Sequence, residues 1–291
     1  MKIVSRISIA TLIVGLLALA WGYFIEPYRL VINEQDLAIE GLDPEFDGLR
    51  IALLADIHAG SHGVDHERLR KIVETLNVLD ADVIAIIGDF VSNYGDRSGI
   101  KMSAEEIADG LQGLYAKDAV IAVLGNHDGW FGNVLVAGPL RTAGIQVLDN
   151  EVAFVERNGK NLRFFGMRDH LHMGSWRTFD RDMQRAVAEY EQSGGLIVLQ
   201  HSPDVFSAVN AHNTFGDSFK LMLSGHTHGG QIWFPILGSP IVPSSFGQRY
   251  AAGHIRENGK HLFVTTGIGT SILPFRFLVP PEIAVLTLRA K

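Results

Sequence analysis

The chain has 291 residues, 47% of them hydrophobic, and a net charge of −7 from 32 acidic and 25 basic side chains. This length allows one large α/β domain with a well-buried core, and an acidic chain without a Lys/Arg cluster is not expected to have a nucleic-acid partner. Cysteine is absent, which excludes a disulfide framework, a thiolate metal site and a cysteine nucleophile.

Residues 7–25 carry no charge. At ~1.5 Å per residue they span about 28 Å, close to the hydrocarbon core of a bilayer. Trp21 and Tyr23 stand near the far end, where interfacial aromatics belong. Lys2 and Arg6 precede the run, so the positive-inside rule keeps the N-terminus cytoplasmic. This predicts a single-pass, membrane-anchored protein with an extracytoplasmic domain. Ala18-Leu19-Ala20 also fits the cleavage box of a removed signal peptide, and a buried core helix is a third reading. The apolar run continues past that box to Ile25, which favours the anchor. Pro27 ends the helix. Residues 1–28 are therefore read as anchor or signal peptide, and residues 29–291 as one domain.

Apolar runs then alternate with helical patterns. Strands are expected at residues 49–55, 82–87 and 119–124, and helices at 65–79, 103–116 and 130–142. This βαβαβ order predicts a parallel sheet with right-handed crossovers. Residues 151–155 and 161–165 flank Asn158-Gly159 as a hairpin. A helix is expected over 177–192, and strands over 196–200, 220–223 and 283–288. Glu257-Asn258-Gly259-Lys260 marks a second hairpin. Two mixed sheets packed together, with helices outside, is the architecture this order suggests.

Polar clusters follow five of these strands: Asp56-Ile57-His58, Gly88-Asp89, Gly125-Asn126-His127-Asp128, His201, and Gly225-His226-Thr227-His228-Gly229-Gly230-Gln231. Singly, each reads as a turn, a helix cap or a satisfied polar residue. Together they deliver carboxylates, imidazoles and an amide to the strand edge that lines the ligand crevice of α/β sheets. Such donors suit divalent Mn, Fe, Zn, Ni or Co. Asp56 and His58, like His226 and His228, are two apart and would share a face of an extended chain. Two ions ~3.5–4 Å apart clamp an in-line displacement at phosphorus.

In this order the motifs resemble those of the calcineurin-like metallophosphoesterases, over roughly residues 49–288. The string from Ser224 to Ile232, and Gly267-Ile268-Gly269-Thr270 running to Pro280-Pro281-Glu282, resemble the membrane-anchored or exported bacterial phosphodiesterases of the YaeI and YkuE type. The resemblance implies a four-layer α/β/β/α sandwich and two divalent metal ions. Asp56, His58 and His228 would hold the first metal, and Asn126, His201 and His226 the second, with Asp89 bridging. His127 would be the catalytic acid, and a hydroxide activated by the ions the nucleophile. In the phosphoprotein-phosphatase branch an acidic residue three positions after the bridging Asp orients the catalytic His. Here that position is Ser92, which argues against protein-phosphatase activity and leaves Asp128, or nothing, to orient His127.

The function expected is metal-dependent hydrolysis of a membrane- or envelope-associated phosphoester, above all a phosphodiester, with a lipid-linked substrate suited to an anchored enzyme. The alternatives are a pyrophosphatase of a UDP-diacylglucosamine-type lipid precursor and, in another class, a non-catalytic metal-binding scaffold on the same fold. A structural metal protein is a further rival, but its sites are normally closed and thiolate-rich. Other residues carry weaker readings. His62 and His66 read as surface. Asp169-His170-Leu171-His172 reads as a solvated loop or a substrate entrance. Arg276 reads as a surface residue or a phosphate fork. Residues 233–237 and 275–279 read as core or as lipid-facing.

Overall fold

The computed structural model describes residues 2–92, 99–172, 178–188, 190 and 194–291, without the side chains of residues 2–5 and 172. In chain order the main elements are α1 (Lys2–Phe24), β1 (Val31–Ile39), β2 (Arg50–Leu54), α2 (His66–Asn77), β3 (Val83–Ile87), α3 (Ala104–Gly110), β4 (Ala119–Val123), α4 (Asn126–Phe131) and α5 (Asn133–Thr142). Then come β5 (Gln146–Val147), β6 (Glu151–Arg157), β7 (Lys160–Gly166), α6 (Phe179–Ala188), β8 (Leu196–Leu199), α7 (Val205–His212), β9 (Phe219–Ser224), β10 (Gly253–Glu257), β11 (Lys260–Val264) and β12 (Glu282–Ala290).

One six-stranded sheet has the order β1-β12-β2-β3-β4-β5, the other β10-β11-β9-β8-β7-β6. β2, β3, β4 and β5 run parallel, while β12 enters antiparallel to β2 and parallel to β1. Leu53, Ala85 and Val123 of the first sheet face Phe164, Leu199 and Leu223 of the second across the central core. α2, α3 and α5 cover the outer face of the first sheet, and α6 and α7 that of the second. The four-layer sandwich is thus present.

Local chemistry explains most element boundaries. β3 is buried on both faces, as its unbroken Val-Ile-Ala-Ile-Ile run requires. The Asp65 carboxylate accepts from Arg68 N at 2.8 Å and starts α2. Ser103 and Glu106 form a reciprocal capping box on α3. The helix expected over 130–142 is two helices, because Gly132 turns the chain at φ 128°, ψ 105°. The helix expected over 177–192 is described only as Phe179–Ala188, and residues 177, 189, 191 and 192 lie outside the described set. β1, β5 and α7 are additional to the elements the sequence pattern predicts. α1 is not a core helix: only 6% of its apolar window is buried.

Candidate metal centre

β2, β3 and β4 of the first sheet and β8, β9 and β11 of the second end at one edge of the molecule. The loops that follow them are tied backbone to backbone. Asp56 N donates to Gly88 O at 2.9 Å, His58 N to Asp89 O at 2.9 Å, Gly225 N to His201 O at 3.0 Å, and Gly269 N to Asp56 O at 2.7 Å. Glycine permits this closeness. A Cβ on Gly125 would lie 2.2 Å from Asp89 Oδ1, and one on Gly269 would lie 2.4 Å from Ile57 O.

Asp56, His58, Asp89, His226 and His228 all have positive φ, between 42° and 70°. The expectation that the paired residues share a face of an extended chain is therefore wrong in mechanism. Left-handed turns, costly for non-glycine residues, bring their side chains together. The bonds between loops hold these turns in place.

Among the described residues, three groups of side chains place ligand atoms within 4.8 Å of one another: Asp56, His58 and His228; Asp89, His201 and His226; and His58, Asp89 and His127. His58 Nε2 lies 3.2 Å from His228 Nε2, and His201 Nε2 3.2 Å from His226 Nδ1. Asp89 Oδ2 stands 3.6 Å from His58 Nε2 and 3.2 Å from His201 Nε2. The outer nitrogens of two rings face carbonyls: His58 Nδ1 is 3.3 Å from Val91 O and His201 Nδ1 is 2.7 Å from Ile87 O. A carbonyl only accepts, so each Nδ1 carries hydrogen and each Nε2 is turned inward.

The donor set fits a cation. Among the described residues, the buried Asp56 Oδ1 and Asn126 Oδ1 find no hydrogen-bond partner, a costly state for polar atoms unless something else binds them. Burial pushes His58 down to about 3 and His226 to about 4, and holds His228 well below the ordinary imidazole value. Their lone pairs are thereby left available. Burial would raise the Asp89 carboxyl, but the His201, His127 and His58 imidazoles outweigh it and hold it well below the carboxylate range. Burial pushes Asp56 up to about 7.

A family model described as calcineurin-like phosphoesterase matches residues 49–230. The chain belongs to this family. It is accordingly a metallophosphoesterase, of a family that uses divalent metals. The uncharacterized metallophosphoesterase YkuE of Bacillus subtilis is 28% identical over 93% of this chain and 90% of its own length. Phosphodiesterase YaeI of Escherichia coli is 28% identical over 82% of each chain. A zebrafish (Danio rerio) protein named "Transmembrane protein with metallophosphoesterase domain" is 29% identical over 98% of this chain and 63% of that one.

Around the ligand candidates of this metallophosphoesterase, several sequence readings need correction. Asp128 does not orient His127. Its carboxylate accepts from Asp89 N, Phe90 N, Val91 N and Gly125 N at 2.8–3.1 Å, clamping the loop after β3 to the start of α4. His127 is placed through its backbone, whose N–H donates to Asp89 Oδ1 at 2.8 Å, and its ring packs 4.9 Å from Trp130 and 4.6 Å from His58. Ser92 Oγ donates to Ala59 O and takes no part in this placement.

Arg276 is neither a surface residue nor a phosphate fork. It is fully buried, and its guanidinium donates to the carbonyls of Gly269, Val279 and Thr266. His62 is half-buried rather than exposed, stacked on Tyr23 at 4.1 Å with Nε2 2.8 Å from Tyr23 O, whereas His66 is exposed as expected. Asp169 is buried, 3.4 Å from His170 Nδ1. The adjacent imidazole of His170 holds the Asp169 carboxyl below its ordinary value against the opposing effect of burial. His170 lies near the ligand cluster, and the side chain of His172 lies outside the described residues. Trp233, Phe234, Ile236 and Leu237 are exposed, against the core reading of residues 233–237.

Proposed function

We propose that this metallophosphoesterase hydrolyses phosphodiesters with two divalent ions. Asp56, His58 and His228 would hold one, Asn126, His201 and His226 the other, and Asp89 would bridge them. The observation that carries this reading is the Asp89 carboxylate, which belongs to two of the three ligand groups, one with His58 and His127 and the other with His201 and His226, and stands 3.6 Å from His58 Nε2 and 3.2 Å from His201 Nε2. When bound, such ions neutralise charge on phosphoryl oxygens and bring the pKa of water at the site toward neutrality. His127 acts as the proton donor to the leaving alkoxide. Its backbone is held by Asp89 Oδ1 and its Nε2 lies 4.0 Å from Asp89 Oδ2, so the imidazolium would stand beside the reacting phosphate. The Asp128 clamp keeps Asp89 and His127 in mutual register. The name of the YaeI relative supports a diester over a monoester. α1 supports a membrane anchor over residues 1–28, with the domain of residues 29–291 acting on membrane or envelope substrates.

The test is hydrolysis of bis(p-nitrophenyl) phosphate and p-nitrophenyl phosphate by the full chain in detergent, metal-stripped and then supplied with Mn. Asp89→Asn is expected to lose both activity and bound metal. His127→Ala is expected to lose about 100-fold or more in rate with metal content unchanged. A His127→Ala variant of full activity, or one that loses its metal, would overturn the separation of ligand and acid roles.

A further inference from the structure

Two loops beside the candidate metal centre expose large apolar side chains. In residues 231–241 these include Trp233, Leu237 and Ile241, and Ile236 is 103% exposed; in residues 270–279 they include Leu278, and Ile272 is 84% exposed. The loops are bound to each other. Trp233 N donates to Phe277 O at 2.9 Å, and the Phe234 and Phe277 rings lie 5.9 Å apart. They are also bound to the end of α1. Arg276 N donates to Gly22 O at 3.0 Å, and Tyr23 packs on Phe275 at 5.5 Å. Gly22 permits this approach, since a Cβ there would lie 3.1 Å from Arg276 O.

We propose that the two loops and the end of α1 form one surface that inserts into the leaflet where α1 leaves the domain, seating the domain on the bilayer. Three observations select lipid as the occupant. The surface is continuous with an apolar helix long enough to cross a membrane and 6% buried over its apolar window. Residues 231–241 carry no charge, and the single charge in residues 270–279 belongs to Arg276, whose guanidinium is buried against carbonyls. A protein partner normally supplies polar matches around an apolar centre, whereas a leaflet asks for none. Finally, Arg29 stands 5.8 Å from the Trp21 ring with its side chain half exposed, the pairing expected at headgroup level.

The seating has a consequence for substrate. A cavity of about 310 Å³ is lined by His58, His62 and Lys101 and by Ile272, Leu273 and Pro274 of the inserting loop. The metal centre therefore opens at the lipid–water boundary. It would take an amphiphilic phosphodiester whose phosphate reaches His58 while its acyl chains stay in the leaflet. This substrate class rests on the phosphodiesterase reading above, and the seating does not.

The chain has no cysteine, so single cysteines report depth directly. Full-length Ile236→Cys, Leu278→Cys and Val78→Cys are each labelled with an environment-sensitive fluorophore in phosphatidylcholine vesicles containing acyl-brominated lipid. Val78 is 80% exposed at the far end of α2, away from the strand edge that bears the site. Positions 236 and 278 are expected to be quenched several-fold more than position 78; equal quenching overturns the seating. In the second arm, the Ile236→Ser/Ile241→Ser double variant is expected to lower turnover of a vesicle-borne phospholipid diester about tenfold and to leave bis(p-nitrophenyl) phosphate turnover unchanged. Equal loss on both substrates, or on neither, overturns the lipid access route. Quenching without hydrolysis of either diester by the wild type overturns the phosphodiesterase reading and supports the seating.

Discussion

Replacing Asp128 by asparagine tests whether this carboxylate acts on the backbone or on the chemistry of His127. Oδ1 accepts from Phe90 N and Val91 N, and Oδ2 from Asp89 N and Gly125 N. Asparagine keeps one oxygen. In either orientation its NH2 group faces two backbone N–H donors, so two buried bonds become donor-to-donor contacts. Hydrogen bonds to a charged acceptor contribute ~1.5–3 kcal/mol each, which sets the loss at about 3–6 kcal/mol. Burial also pushes the Asp128 carboxyl up to about 7, so removing its charge returns part of that cost and favours the lower end of the range. About 3 kcal/mol is a large share of the ~5–15 kcal/mol typical of a domain and corresponds to a fall in Tm of about 6–12 °C for a chain of this size. Circular-dichroism melts of the full chain in detergent, beside metal analysis, make the measurement. The Asp89 loop should loosen, so metal content should fall although Asp128 is not among the ligand candidates. A variant with wild-type Tm and metal content that lost only kcat would refute the reasoning and return Asp128 to the role of orienting His127.

Gly125→Ala is expected to destabilise the chain by about 1–3 kcal/mol and to reduce bound metal, because the new methyl must displace Asp89; full metal occupancy in the variant would contradict this. Arg276→Lys cannot span the carbonyls of Gly269, Val279 and Thr266 with one ammonium group, so about 3 kcal/mol of stability should be lost. The KM for bis(p-nitrophenyl) phosphate should stay within about twofold of wild type. A rise in KM at unchanged Tm would show that Arg276 reaches substrate after all.

The five polar clusters were legible because each follows a strand whose last residues are buried on both faces, and such segments read as short apolar runs. β1 was not legible. Its centre, Asn33-Glu34-Gln35-Asp36, is polar, and it is a strand only because β12, about 250 residues later, pairs with it. The two hairpins were visible from Asn-Gly turns, whereas the short β5 gains its identity from Ile121 and Ala122 of β4. Gly132 is not legible as a break, because a lone glycine within a helical pattern does not announce the positive-φ turn that splits α4 from α5.

The site divides along the same line. Residue type, order and placement after strands follow from local composition, so the sequence by itself determined the family, the reaction class and the side chains that gather at the centre. Where those side chains point was decided by the tertiary structure. Asp56, His58, Asp89, His226 and His228 adopt left-handed turns that only hydrogen bonds between loops of both sheets can hold. Asp128 and Arg276 looked like chemistry and are instead buried ties for backbone groups, Asp128 for the loop of residues 89–91 far back in the chain and Arg276 for carbonyls of its own stretch of chain, Thr266, Gly269 and Val279. The exposed apolar loops beside α1 looked like core, because composition reports how apolar a segment is and not which surface remains to cover it.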